Sequence, residues 1–213
     1  MGEAGRLRPV TPLLDEDLIA RVEAGASWAH RMWEASTVAV VLGRGTAASE
    51  VRADSCAADG VPVLRRRGGG GAVVLGPGCL IVSLAAAVER ELEAGGYLDR
   101  IAAFLAGLLG RLTGLPLEPR GIGDVCLGDR KVLGASLFRR RRLLFYQASL
   151  LHSLNLALVD GYLTHPAREP AYRQGRPHRA FLTTLAAAGS GISVDELCEG
   201  LERRLPALAE RLE

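Results

Sequence analysis

Several features that would place a sequence quickly are absent from this one. Charge of one sign is not in excess: 26 Lys and Arg stand against 24 Asp and Glu, a formal charge of +2. That balance makes no general case for nucleic acid as a partner. The four cysteines, Cys56, Cys79, Cys126 and Cys198, form no CxxC pair, and none has a histidine at zinc-finger spacing. Free thiols and a cytoplasmic setting fit that usage. The histidines, His30, His152, His165 and His178, are scattered without metal-ligand spacing, so no metal site is expected. No long apolar run exists; the longest, about 80–88, is too short to span a bilayer, and no membrane association is expected. Met1 to Arg6 has no signal-peptide core, and Arg6 breaks the myristoylation pattern. Neither GxxxxGK[ST] nor a GxGxxG between strand and helix is present, which removes the P-loop and the dinucleotide fingerprint.

What is present is a globular chain of 213 residues, 48% hydrophobic and 23% charged. That length suits one sizeable core, so residues 1–213 are expected to form a single domain. No repeat, low-complexity stretch or linker divides it. Apolar periodicity predicts helices over 12–24, 47–58 and 98–112, the last from Ile101, Leu105, Leu108, Leu109 and Leu112. Residues 156–163 and 179–188 also read as helical. Ser193 begins the final helix, with Glu196 completing a capping box. Strands are expected over 37–42, 62–66, 72–75, 80–84, 117–119, 124–127, 131–138 and 143–151. Strands cluster in the middle and helices flank them without βαβ alternation, which predicts an α+β fold with a mixed sheet.

Two constellations carry chemistry. The first is Arg65-Arg66-Arg67-Gly68-Gly69-Gly70-Gly71-Ala72-Val73, followed by Pro77-Gly78. Glycines let backbone approach a ligand closely, and consecutive N–H groups in such a loop cradle an anion. Arginines beside them add bidentate phosphate contacts. A flexible hairpin loop with solvated arginines has the same composition. The second runs from Gly121 to Ser136. Two short strands joined at Gly128-Asp129 place Lys131 near the start of the second, with Gly134, Ala135 and Ser136 leaving room beside it. Lys131 is either a point charge for a phosphate or a solvated turn lysine.

Together these segments resemble the lipoate–protein ligase family, relatives of the biotin–protein ligases. The family's RRxSGGGxV segment is matched by Arg65, Arg66, Gly68 to Gly71 and Val73. Its strand aspartate, GRK turn and small cluster are matched by Asp124, Arg130-Lys131 and Gly134-Ala135-Ser136. Trp33-Glu34 with Val38 to Arg44 is similar to an early strand ending in LGR. Glu169 to His178 resembles a late PxYRxGRxH segment. The matches run in order from about residue 33 to 185.

The resemblance implies a biotin/lipoate–protein ligase catalytic-domain fold and a two-step reaction. The lipoate carboxylate attacks the α-phosphate of ATP, giving lipoyl-adenylate and pyrophosphate, and a carrier-domain lysine then attacks that mixed anhydride. Lys131 would stabilise charge on the phosphate or acyl oxygen. Gly69, Gly70, Gly71 and Ala72 would line the acyl and adenylate groove, with Arg66, Asp124, Gly134, Ala135 and Ser136 nearby. ATP, Mg²⁺ and lipoate are the implied cofactors and substrate, and a lipoyl-carrier domain the implied partner. Full-length ligases often carry a C-terminal accessory domain; none is expected in this chain, so a separate accessory ligase chain is a second implied partner. Leu75, Gly123 and Tyr146-Gln147 depart from the family pattern, and those departures bear most on adenylation.

Two rivals follow. An ATP-independent lipoyl or octanoyl transferase would use Cys126, which shares a strand face with Asp124, as nucleophile; a small buried residue is the plainer account of Cys126. A non-catalytic lipoyl-binding subunit would keep the pocket without the chemistry. Arg139 to Arg142 lack interleaved aromatics and read as a solvated hairpin edge or a docking surface for an acidic carrier.

Overall fold

The computed structural model describes residues 14–89 and 93–212. Met1 to Arg6 and the start of the helix expected over 12–24 lie outside them. A six-stranded antiparallel sheet forms the centre, in the order β1-β5-β9-β8-β7-β6. Its strands are β1 Trp28–Glu34, β5 Cys79–Ala87, β6 Leu117–Arg120, β7 Asp124–Leu127, β8 Arg130–Arg140 and β9 Leu143–Leu151. A separate three-stranded sheet, β3-β2-β4, packs against one face of it. There β2 Ala39–Leu42 runs parallel to β3 Val63–Arg65 and antiparallel to β4 Val73–Leu75. The fold is α+β, as the strand and helix order predicts, and the parallel pairing is confined to the smaller sheet.

Both faces of the central sheet are covered, which is why β5 reads as a nearly continuous apolar run. Leu80, Val82 and Leu84 on β5, with Leu144, Tyr146 and Leu150 on β9, meet the buried stripe of α3 Ala94–Thr113. Helices α6 Val194–Arg204 and α7 Pro206–Leu212 close that layer through Leu197, Leu201, Leu205 and Leu208. The expected final helix is therefore two. Pro206 lacks a backbone N–H to continue the ladder. Ser193 makes the full capping box, accepting from Glu196 N while its own N–H donates to the Glu196 carboxylate. On the opposite face, Cys79, Ile81 and Leu151 meet Val40, Val41 and Val74 of the small sheet and Val159 of α4 Ala157–Tyr162. α1 Asp17–Glu23 covers the rest with Leu18, Ile19 and Val22 against Ala29, Ala85 and Phe145. No helix among the described residues is long and apolar enough to cross a membrane.

Three local expectations change. Strand β1 was not anticipated, because Ala29 and Trp33 are its only buried residues and polar side chains interrupt them. Residues 47–58 divide into a 3-10 turn at Ala48–Glu50 and α2 Ala53–Ala58, because Val51 between them bridges to Leu163. The helix expected over 179–188 is limited to α5 His178–Phe181. Beyond it the backbone bonds to the sheet instead of itself: Thr183 N donates to Lys131 O, Leu185 N to Leu151 O and Ala186 N to His152 O. Apolar spacing alone cannot see that competition.

One buried carboxylate fastens α1 to the sheet. Asp15 is 1% exposed. It accepts from Arg31 Nη1 at 2.9 Å, Trp33 Nε1 at 2.8 Å and Ser83 Oγ at 2.6 Å. Leu14 and Asp15 both adopt left-handed backbone, φ 48° and 58°. Non-glycine residues hold that conformation only when neighbours over-determine it, and these bonds, with Gln147 Nε2 donating to Leu14 O at 2.7 Å, do so. Asp15→Ala strands three donors, so it should lower stability by about 3 kcal/mol. Urea denaturation measures this; a loss under about 1 kcal/mol would mean that the cluster is incidental to α1 docking.

Candidate functional site

The cleft lies between the two sheets, and its floor follows from strand register. Residues directly opposite on paired strands share a face. Gly134, Ser149, Ile81 and Trp33 therefore form one row across β8, β9, β5 and β1, and Ser136, Gln147, Ser83 and Arg31 the next. The small sheet faces these rows with Val41, Val73, Val74 and Leu75, and α4 and the following turn add Val159 and Leu163. The enclosed space is about 210 Å³. Its walls are mostly apolar, with Lys131, Arg66, Arg173, Arg168 and Glu50 as charged exceptions. An apolar cleft with a few convergent polar groups suits an elongated acyl ligand bearing a polar end.

The glycine run is held by Arg66. Its Nη2 donates to Gly69 O at 2.7 Å and Gly71 O at 2.9 Å, and its Nη1 to Val41 O at 3.3 Å. The guanidinium is 7% exposed, and burial pulls its pKa down to about 10, so it remains charged at neutral pH. Gly70 has φ +90°, and a Cβ there would lie 2.9 Å from Arg66 Nη2. A Cβ on Gly43 would overlap the Gly70 carbonyl oxygen. The run is thus an ordered loop rather than a flexible hairpin tip. Gly71 and Ala72 line the cleft; Gly69 and Gly70 are not among its lining residues.

Lys131 is the cationic centre. Its Nζ lies 2.7 Å from Asp124 Oδ1. The side chain folds over Gly134, where a Cβ would meet Lys131 Cε at 2.5 Å and Nζ at 2.6 Å. Gly134 is small because the lysine occupies the space a side chain would take. Asp124 is 6% exposed and reaches the cleft through Lys131. Its Oδ2 accepts from Tyr172 Oη at 2.7 Å, and Cys126 Sγ donates to Tyr172 Oη at 3.4 Å. Asp124 and Cys126 both meet Tyr172, as a shared strand face predicts. Burial pushes the Cys126 thiol up, and no cysteine lines the cleft. Burial also raises Cys56, Cys79 (to about 12) and Cys198 (to about 11). None has the lowered pKa of a nucleophilic thiol.

The segment 164–182 forms the remaining wall with Thr164, Pro166, Pro170, Arg173, His178 and Phe181. Arg173 is 4% exposed and stacks over Phe181 with its carbon 4.8 Å from the ring centroid. His178 Nε2 is 3.0 Å from Thr164 O, an acceptor only, so that nitrogen carries the proton. Nδ1 then accepts from Arg173 Nη2 at 3.3 Å. Burial lowers the His178 pKa, in keeping with a neutral ring.

Of the residues singled out in sequence, Arg66, Gly71, Ala72, Lys131, Gly134, Ala135 and Ser136 meet around one cleft. Asp124 stands behind Lys131, and Gly69 and Gly70 behind Gly71 and Arg66. Trp33, Gln147, Arg173 and His178 also line the cleft and were given no role from sequence. The last two lie in the Glu169 to His178 match, which was the available signal. Gln147 falls in the Tyr146-Gln147 departure from the family pattern, which was the signal there.

This architecture is the one found in lipoate–protein ligases. A bi-partite lipoate protein ligase from Thermoplasma acidophilum, studied with its E2 lipoyl domain, superposes with a TM-score of 0.74 at 22% identity, over 88% of this chain and 74% of that chain. A putative lipoate protein ligase from T. acidophilum with bound lipoic acid gives 0.73 at 21%, over 89% and 76%. A lipoate-protein ligase A bound with ATP gives 0.73 at 22%, over 88% and 75%. No curated protein sequence matches. The family model for the lipoyl protein ligase A/B catalytic domain matches residues 13–205, and the chain belongs to that family.

Two predictions follow from the site. A Cβ on Gly71 meets nothing within 4 Å. Gly71→Val should fold normally and obstruct the cleft, lowering acyl-ligand affinity at least ~10-fold, about 1.4 kcal/mol. Gly70→Val should instead destabilise the loop through backbone strain and displacement of Arg66. Calorimetry with melting curves separates the two; undiminished binding in Gly71→Val would place the ligand elsewhere. The second concerns pH. Folding lowers His178's affinity for protons from the ordinary 6.5, so the unfolded chain binds more protons and stability falls as pH drops below about 6.5. His178→Gln should lose less stability than wild type between about pH 7.5 and about pH 5.5. Equal losses in denaturation midpoint would show that the imidazole is not held neutral.

Proposed function

We propose that this protein attaches lipoate to a lysine of a lipoyl-carrier domain through a lipoyl-adenylate made from ATP. The observation that carries the reading is Lys131: an ammonium fixed by Asp124 over Gly134, on the wall of an apolar cleft beside an ordered glycine loop. Such a site has no need of a nucleophile. It requires a groove for the acyl chain, donors for phosphate and carbonyl oxygens, and a fixed positive charge where negative charge develops. The cleft supplies the groove, and Lys131 supplies the charge. Arg66 acts through the loop it shapes as much as through its own charge, since its Nη2 is engaged with the loop carbonyls of Gly69 and Gly71 and its Nη1 with Val41 O on β2.

The neighbours described with bound lipoic acid and with ATP support both as substrates. Among the described residues no group of three or more His, Cys, Asp or Glu is arranged to hold a metal. Mg²⁺ is assigned to the nucleotide phosphates, its usual place in such reactions. The archaeal neighbour is described as bi-partite and paired with a lipoyl domain. We extend both to this chain: residues 1–213 act as one catalytic domain that a separate accessory chain assists in adenylation, and a lipoyl domain is the acceptor; a cytoplasmic setting is part of the same proposal. An ATP-independent transferase working through a thioester fits less well, because no cysteine lines the cleft and burial raises the thiols.

The test is carrier modification, followed by intact mass, from pre-formed lipoyl-adenylate and from lipoate with ATP and Mg²⁺. Transfer from the adenylate should be efficient, and the ATP route slower until an accessory chain is added. No modification by either route would sink the ligase reading. Lys131→Ala should reduce transfer by ~10²-fold, the scale of losing one preorganised charge contact, and should also lower the melting temperature, because the buried Asp124 loses its ammonium partner. An unchanged rate would remove Lys131 from the chemistry.

A further inference from the structure

The ligase chemistry assigns no task to a phenol, yet Tyr172 is built into the site more firmly than its place in a connecting segment requires. Its hydroxyl donates to Asp124 Oδ2 at 2.7 Å, while Asp124 Oδ1 pairs with Lys131 Nζ at 2.7 Å. The two carboxylate oxygens are thus divided between phenol and ammonium. The hydroxyl's own lone pair is engaged by the Cys126 thiol at 3.4 Å, which orients its proton toward Asp124. The ring has little freedom. Phe181 lies 5.3 Å away by centroids, and the Arg120 guanidinium 5.7 Å. Against the ring edge stands Gly121, with φ +56° and a would-be Cβ 3.1 Å from Tyr172 Cε1.

The backbone around Tyr172 is tied to the same hairpin that presents Lys131. Arg176 Nη2 donates to Tyr172 O at 3.0 Å and to Asp129 O at 2.9 Å, and its Nη1 pairs with Asp129 Oδ2 at 2.6 Å. Further along, Thr183 N donates to Lys131 O at 3.0 Å and Arg130 Nη2 to Leu182 O at 2.7 Å. The stretch 172–183 is a strap fastened to the β7–β8 hairpin at Asp124, Asp129, Arg130 and Lys131.

We propose that Tyr172 is a positioning residue for the reaction, acting through Asp124 on Lys131; this rests on the ligase reading above. An isolated Asp124 would rotate to take Lys131 with both oxygens and draw the ammonium back from the cleft. Donation from Tyr172 holds the carboxylate in one rotamer and spreads part of its charge onto the phenol. Lys131 is then anchored through one of its three donors, and the others serve the phosphate or acyl oxygen. Tyr172 touches no reacting atom, so its effect belongs in the rate of the chemical step and not in ligand affinity.

The experiment is single-turnover transfer from pre-formed lipoyl-adenylate to a lipoyl-carrier domain, a route independent of any accessory chain. Tyr172→Phe keeps the ring packing and removes only the hydroxyl. It should lower the maximal transfer rate ~10-fold, the scale of one charge-assisted hydrogen bond, with the half-saturating carrier concentration and adenylate affinity unchanged. Asp124→Asn should also lower the rate. In that background Tyr172→Phe should add almost nothing, because the group it acts through is already changed. A merely structural tyrosine would instead give additive losses and a lowered melting temperature in both backgrounds, and that result would overturn the proposal. So would a wild-type rate in folded Tyr172→Phe. Failure of the wild-type protein to modify any carrier would instead reject the ligase reading, and the assignment of Tyr172 with it.

Discussion

The guanidinium of Arg66 sits where the small sheet, the glycine run and the cleft meet, and the other features of the site presuppose it. A buried cation is costly unless its donors are matched, and here carbonyls from Gly69, Gly71 and Val41 receive both terminal nitrogens, leaving only Nε without a partner. Those carbonyls would otherwise point unpaired into a loop without side chains. The run of four glycines has high conformational entropy to lose, and the arginine's bonds offset it by fixing a single course. Glycine is needed because no side chain fits: Gly43 lies against the Gly70 carbonyl, and Gly68 against Ser136 Oγ and the Leu137 carbonyl. The exposed inner edge of that loop, Gly71 and Ala72, becomes a wall of the cleft.

A second constraint is the placement of a cation over a glycine. Lys131 could extend to solvent, as lysines in turns usually do. It lies instead across Gly134, drawn there by Asp124. The absent side chain at 134, the buried carboxylate at 124 and the phenol at 172 form one arrangement, although 48 residues separate Asp124 from Tyr172. The strap that brings Tyr172 in gives up helix to do so. Its backbone pairs with Lys131 through Thr183 N, and the residues just beyond it pair with Leu151 and His152 at the end of β9.

Much of this was legible in the sequence, and the reasons are specific. The Arg66 to Val73 run and the Asp124 to Ser136 stretch are short, local and compositionally sharp, so together they carry the family resemblance, although each alone also fits a solvated turn. The long helix α3 and the capping box at Ser193 depend on neighbours a few residues away, and both formed as expected. Strand β1 and the segment 179–188 did not follow their local pattern. Ala29 and Trp33 give β1 too little apolar alternation to be read, and the backbone of 182–186 is captured by strands more than thirty residues distant in sequence.

The sequence by itself determined most of the elements, the family and the group of residues about which a site would form, because each rests on residue types at fixed short spacing. Only the tertiary structure decided how those residues divide their work. It put Gly71 on the cleft and Gly70 against Arg66, turned Arg66 toward loop carbonyls, set Asp124 behind Lys131 and added Tyr172, Gln147 and His178. These assignments depend on strand register and on contacts between distant segments, where a shift of one residue would turn each side chain to the other face. No local pattern encodes that register; the packing of the two sheets against each other sets it.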